Sequence, residues 1–135
     1  MRFFQSFVLI TAASLTLMAC QSEKIDNSML VNVNGVSFSS DVLPIFQASC
    51  GGNGCHINES ISGVNLTNYA STIGSVGNQY NEAVVKPGDG AGSALVDKLG
   101  LRPQFGLRMP DGRPALAANQ IAAVRTWIDE GALDN

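Results

Sequence analysis

Cys50 and Cys55 are separated by four residues, Gly51, Gly52, Asn53 and Gly54, and His56 follows the second thiol directly. Two thiols and an imidazole in so short a span support more than one chemistry. The thiols can oxidise to a disulfide that closes a glycine-rich loop, an ordinary outcome in an oxidising compartment. The three side chains can also approach a zinc ion. His56 is the only histidine in the chain, however, and two cysteines with one histidine leave a structural zinc site one ligand short. Other polar groups carry weaker signals. Gly88-Asp89-Gly90-Ala91-Gly92 lacks the Lys-Ser/Thr of a phosphate loop and reads as a turn. Asp129 and Glu130 are neighbouring carboxylates at an expected helix end and read as solvated.

The order Cys…Cys-His also resembles the haem-attachment motif of c-type cytochromes, normally C-x-x-C-H. In that family two thiols add to the haem vinyl groups, and the adjacent histidine reaches the iron as proximal ligand. The resemblance assigns Cys50 and Cys55 to the thioethers of one covalent haem c and His56 to the iron. The spacing here is two residues longer than usual. The extra residues must bulge between the anchors, and three of the four intervening residues are glycines, which accept the positive φ of such a bulge.

A haem in an electron-transfer protein takes a second axial ligand. No further histidine exists, and downstream of Cys20 the methionines are Met29 and Met109. Met109 stands in Leu107-Arg108-Met109-Pro110-Asp111-Gly112, which resembles the Met-Pro segment that supplies the distal ligand in single-haem cytochromes. A thioether is a soft neutral donor that favours ferrous iron. Isolated, Met109 would read more readily as a filler of core gaps. Arg102, Arg108 and Arg113 read either as partners for haem propionates or as solvated loop charges.

The resemblance extends from residue 36 to 134 as an ordered series. It runs through Val36–Phe46, the Cys/His motif, Lys86-Pro87-Gly88-Asp89, Ser93-Ala94-Leu95, Met109-Pro110 and Trp127–Ala132. It implies an all-α fold, a small cytochrome c-like domain wrapped around one haem. Its first and last helices would cross through Phe46 and Trp127.

The elements that must position these residues are legible from caps and periodicity. Ser40 is a suitable N-cap for a helix ending near Ser49, with Asp41 and Pro44 in its first turn. A short helix is expected within residues 67–73. Ser93 can cap a helix stopped by Gly100. Residues 118–130 place Ile121, Val124 and Ile128 on one face beside Trp127, with Gly131 as the residue beyond the end. Asn34-Gly35 between short alternating segments predicts a β-hairpin near residues 31–38.

Residues 1–19 have the grammar of an export signal, with Arg2 ahead of an apolar run too short for a comfortable membrane span. Leu17-Met18-Ala19-Cys20 resembles the lipobox of bacterial lipoproteins, which implies cleavage before Cys20 and acylation of the new N-terminal cysteine. Acyl chains anchor by burying methylene groups in the bilayer. An ordinary cleaved signal with an incidental cysteine is the plain alternative. The division that follows is a signal peptide at 1–19, a lipidated tether at 20–35 and a cytochrome c-like domain at 36–135. Gln21 in place of Asp favours the outer membrane, at a periplasmic or cell-surface face. Lipid on Cys20 also leaves Cys50 and Cys55 as a self-contained pair.

Loss of residues 1–19 takes Arg2 with it and leaves seven basic against eleven acidic residues, a formal charge of −4. The basic residues are scattered, so nucleic acid is a poor partner. No substrate site is legible, and the expected role is non-enzymatic electron transfer with redox partner proteins. A haem-based small-ligand sensor and a haem-free, disulfide-stapled surface lipoprotein are the alternatives.

Overall fold

The computed structural model describes residues 35–135. Cys20, Met29, the signal-like run, nearly all of the tether and residues 31–34 of the expected hairpin lie outside the described residues.

Ser37, not Ser40, opens the first helix. Its backbone is extended, its hydroxyl accepts the Ser40 N–H at 3.2 Å, and its own N–H donates to Asp41 Oδ2 at 2.9 Å. Val36 and Ser37 lie in no strand, and Phe38 already begins a π-helical turn, Phe38–Val42, so the second half of the expected hairpin does not form. The turn continues into α1, Leu43–Ser49. The wide turn directly precedes Pro44, whose nitrogen has no proton for an i→i−4 bond.

α2, Tyr69–Ile73, falls within the expected 67–73 and is opened by Asn68, which accepts the Ser71 N–H at 2.9 Å. α3, Ala94–Leu99, has the expected bounds, but Ser93 does not cap it. The buried Ser93 hydroxyl instead donates to the Asp89 carbonyl and accepts the Lys86 N–H, both at 2.8 Å. α4, Ala118–Asp129, ends on Glu130, and Gly131 takes φ +105° beyond it. Val124, Trp127 and Ile128 are buried together with Ala123, while Ile121 is only half-buried.

A two-stranded antiparallel sheet departs from the all-α expectation. β1, Val76–Gly77, pairs with β2, Glu82–Ala83, in the register Val76 with Ala83 and Gly77 with Glu82. Its strands are too short to show alternation. The positive φ of its turn falls on Asn81 (φ +53°), a residue that tolerates the left-handed region.

The helices meet through Phe38. Its ring lies 6.4 Å from that of Phe46, 5.1 Å from Trp127 and 5.4 Å from Tyr69, centroid to centroid. Phe46 and Trp127 are both buried as expected, but Phe38 relays their packing. Such aromatic contacts add about 0.5–1.5 kcal/mol each beyond the area they bury. Trp127 Nε1 donates to the Leu133 carbonyl and Tyr69 OH to the Ala132 carbonyl, both at 2.9 Å, so the buried Trp127 and the partly buried Tyr69 have their polar ends satisfied.

Asp129 and Glu130 are more than solvated charges. Glu130 accepts the N–H groups of Gly35 (3.0 Å) and Val36 (2.9 Å), and Asp129 accepts that of Gly90 at 2.7 Å. Asn135 accepts from Phe38 and Ser39, so both ends of the domain are fastened to each other. Among the described residues no helix is long and apolar enough to cross a membrane.

Candidate cofactor site

Cys50 ends α1, its N–H donating to the Phe46 carbonyl at 2.7 Å. The chain then turns through Gly52 (φ +122°) and Gly54 (φ +71°). Cys55 N–H donates to the Gly52 carbonyl at 3.2 Å, and His56 N–H returns to the Cys50 carbonyl at 3.0 Å. The four intervening residues therefore form a bulge closed on its own backbone. Only two of the three glycines supply positive φ. Gly51 is constrained by packing instead, since a Cβ there would lie 3.1 Å from the Gln47 carbonyl oxygen. A Cβ on Gly52 would come within 2.8 Å of the Arg113 guanidinium, which folds against the bulge.

Cys50 and Cys55 are free thiols, both half-buried. Burial first, then the neighbouring Cys55, pushes the Cys50 thiol up to about 11, against a smaller lowering by Arg113. A group so placed is held as the neutral thiol at neutral pH.

His56 is fixed on both sides. Its carbonyl accepts the Leu66 N–H at 2.7 Å, and its ring Nδ1 lies 3.1 Å from the Val64 carbonyl oxygen. A carbonyl only accepts, so this bond exists when Nδ1 carries the proton, which leaves the Nε2 lone pair free to ligate.

Met109 arrives from the loop between α3 and α4. Its N–H donates to the Lys98 carbonyl at 2.8 Å, and the buried Pro110 follows. Met109 packs against the hydrophobic core and also lines a cavity of ≈ 260 Å³. Cys50, Cys55 and His56 line the same cavity. Its floor is apolar, with Leu66, Val84, Leu95 and Leu99 all buried. All four residues singled out by the cysteine motif and the Met-Pro segment thus share one wall system.

The three arginines separate. Arg113 lines the cavity. Arg108 spans its own loop, donating to the carbonyls of Met109 (3.3 Å) and Arg113 (3.1 Å). Arg102 is exposed and is not part of the lining.

Four wall and near-wall residues had no sequence signal: Gln79 and Tyr80 from the β1–β2 turn, and Asp97 and Lys98 from the end of α3. Tyr80 OH donates to Asp97 Oδ2, and its ring meets Phe105 edge-on at 5.0 Å. Burial first, then the bond to Asp97, pushes the Tyr80 phenol up to about 12, so it remains a donor. Among the described residues no group of three or more His, Cys, Asp and Glu side chains is placed to hold a metal ion. Comparison with protein-family models, curated proteins and solved structures returned no match.

Proposed function

We propose that this chain binds one covalent haem c through Cys50 and Cys55, ligates its iron with His56 and Met109, and transfers single electrons as a membrane-anchored c-type cytochrome. The observation that carries the reading is the meeting of Met109 with Cys50, Cys55 and His56 on one largely apolar cavity. Met109 is distant from that motif in the chain, so tertiary contacts bring the two together.

The donor set fits the group. Both thiols are free and line the cavity, where thioether formation would place the haem edge. The Val64 carbonyl selects the tautomer that leaves Nε2 as a donor. The wall offers aliphatic side chains to a macrocycle, with Arg113 and Lys98 as cationic members. Bound haem supplies a one-electron iron couple. The chain's own part is to hold the donors, exclude water from the apolar floor and set the potential through a neutral sulfur ligand. The free thiols and the shared cavity favour this reading over the disulfide-stapled lipoprotein.

Anchoring belongs to the same proposal: Cys20 carries acyl groups, residues 20–35 tether the domain, and the partners are redox proteins at an exported face, with the outer membrane favoured. The test is purification from an export-competent host, followed by a visible spectrum and acid–organic extraction. The expected result is a low-spin haem spectrum, haem that stays with the polypeptide, and a diacyl or triacyl N-terminal peptide. A missing Soret band would overturn the haem reading. High-spin, carbon-monoxide-binding protein would favour the sensor, and an unmodified Cys20 peptide would overturn the anchor alone.

A further inference from the structure

Lys98 touches the Met109 loop with both its backbone and its side chain. Its carbonyl accepts the Met109 N–H at 2.8 Å. Its ammonium donates to the carbonyls of Phe105 (2.7 Å) and Leu107 (3.2 Å), with Gln79 Oε1 at 2.7 Å as a third partner. The same nitrogen lies 5.8 Å from the Tyr80 ring centroid. One step earlier on α3, Asp97 Oδ2 accepts the Gln104 N–H at 2.8 Å as well as the Tyr80 hydroxyl. The end of α3 therefore grips the loop at 104, 105, 107 and 109. This loop is otherwise exposed: Leu101, Phe105 and Leu107 all show large apolar side chains to solvent. An exposed loop with few apolar contacts opens easily unless polar bonds hold it.

We propose that Lys98 is the positioning residue for Met109, and that its ammonium, through Phe105 and Leu107, sets how firmly the methionine sulfur stays at the iron. The inference rests on the reading of Met109 as axial ligand. A ligand on a loop is only as strong as the loop's preference for the ligating conformation, because each opening exposes the iron to competitors. All three donations of the ammonium are charge-assisted, and two of them go to the segment just ahead of Arg108-Met109, at the carbonyls of Phe105 and Leu107. A lysine stem that merely filled space would not require the charge.

The test compares Lys98→Met, which keeps the stem and removes the charge, with Lys98→Arg, which keeps a cationic donor, in purified holoprotein. Imidazole titration reads displacement of the sulfur through its weak long-wavelength band on ferric haem. Hydrogen exchange of the 101–109 peptide reads the loop independently of the iron. K98M is expected to bind imidazole at least about tenfold more tightly and to exchange the loop amides at least about tenfold faster, the equivalent of one of the charge-assisted bonds that the ammonium makes. K98R should stay within about threefold of the parent, since cationic donors remain. Haem content should be the same in all three proteins. If K98M retains the band, the parent's imidazole affinity and its loop exchange, the positioning role is overturned while the ligand reading stands. If the parent itself lacks the sulfur band, the ligand reading falls and this inference with it. Should K98M yield no holoprotein, Lys98→Gln carries the same expectations with a neutral amide.

Discussion

The Val64 carbonyl oxygen lies 3.1 Å from Nδ1 of His56. Of the two neutral tautomers only one turns that approach into a hydrogen bond, with the proton on Nδ1 and the lone pair on Nε2. Nitrogen NMR of the haem-free chain should therefore show, in the neutral form of the ring, a protonated Nδ1 and a bare Nε2. The reverse pattern would remove the main local argument that His56 is prepared to ligate.

Met109 should govern the iron's sixth position. Met109→Ala is expected to abolish the sulfur band and open the ferrous iron to carbon monoxide, whereas Met29→Ala should leave spectrum and potential unchanged. Met109→His should remain low-spin at a lower potential, because imidazole stabilises ferric iron more than a thioether does. An unaltered spectrum and potential in Met109→Ala would show that another group ligates.

The bulge between the cysteines should respond unequally to alanine. Gly54 has φ +71° with open space where a Cβ would sit, so Gly54→Ala meets only the left-handed backbone cost of about 1–2 kcal/mol. Gly52→Ala adds a collision with the Arg113 guanidinium at 2.8 Å, which the flexible side chain can relieve by moving. Both variants are expected to incorporate less haem, and their double variant less still. Normal haem yield in the double variant would show that the bulge tolerates a different backbone path.

Cys50 links the haem-free domain to pH. Its folded value of about 11 stands above the ordinary 9.0, so the folded state holds this proton more tightly than the unfolded chain does. That contribution to stability is complete below pH 9.0 and is lost as pH rises towards about 11. Urea midpoints of haem-free protein should fall across that window by more than those of a Cys50→Ala variant. Alkylation of Cys50 should also keep accelerating up to about pH 11. A rate that levels near pH 9.0 would refute the shift.

Glu130 closes the domain by accepting the Gly35 and Val36 N–H groups. Glu130→Ala removes two charge-assisted bonds, a loss of about 1–3 kcal/mol. Relief of a negative charge at the C-terminal end of α4 offsets about 0.3–1 kcal/mol of it. The urea midpoint should therefore fall, with Glu130→Gln intermediate because one acceptor remains. A midpoint that rises in both variants would mean that the helix dipole outweighs the staple.

Local rules sufficed wherever the determining contacts lie within a few residues. α3 and α4 have their expected bounds because each periodic run stops at a glycine, Gly131 with a left-handed backbone (φ +105°) and Gly100 with an extended one. The Cys50–His56 motif and the proline beside Met109 were equally legible, since residue type and spacing carry them. The first helix was misplaced by three residues because Ser37 and Ser40 are both competent caps. Asn135, from the other end of the domain, accepts the N–H of Phe38 and favours the earlier start. The β1–β2 pair escaped notice because strands of two residues have no period to read. Chain order could not decide which side chains would share the cavity with Cys50, Cys55 and His56. Met109 reaches that wall because the Lys98 carbonyl, Lys98 ammonium and Asp97 carboxylate hold its loop against α3. Those bonds join a helix end to backbone carbonyls and amides several residues away, groups identical in every residue and therefore silent in a sequence.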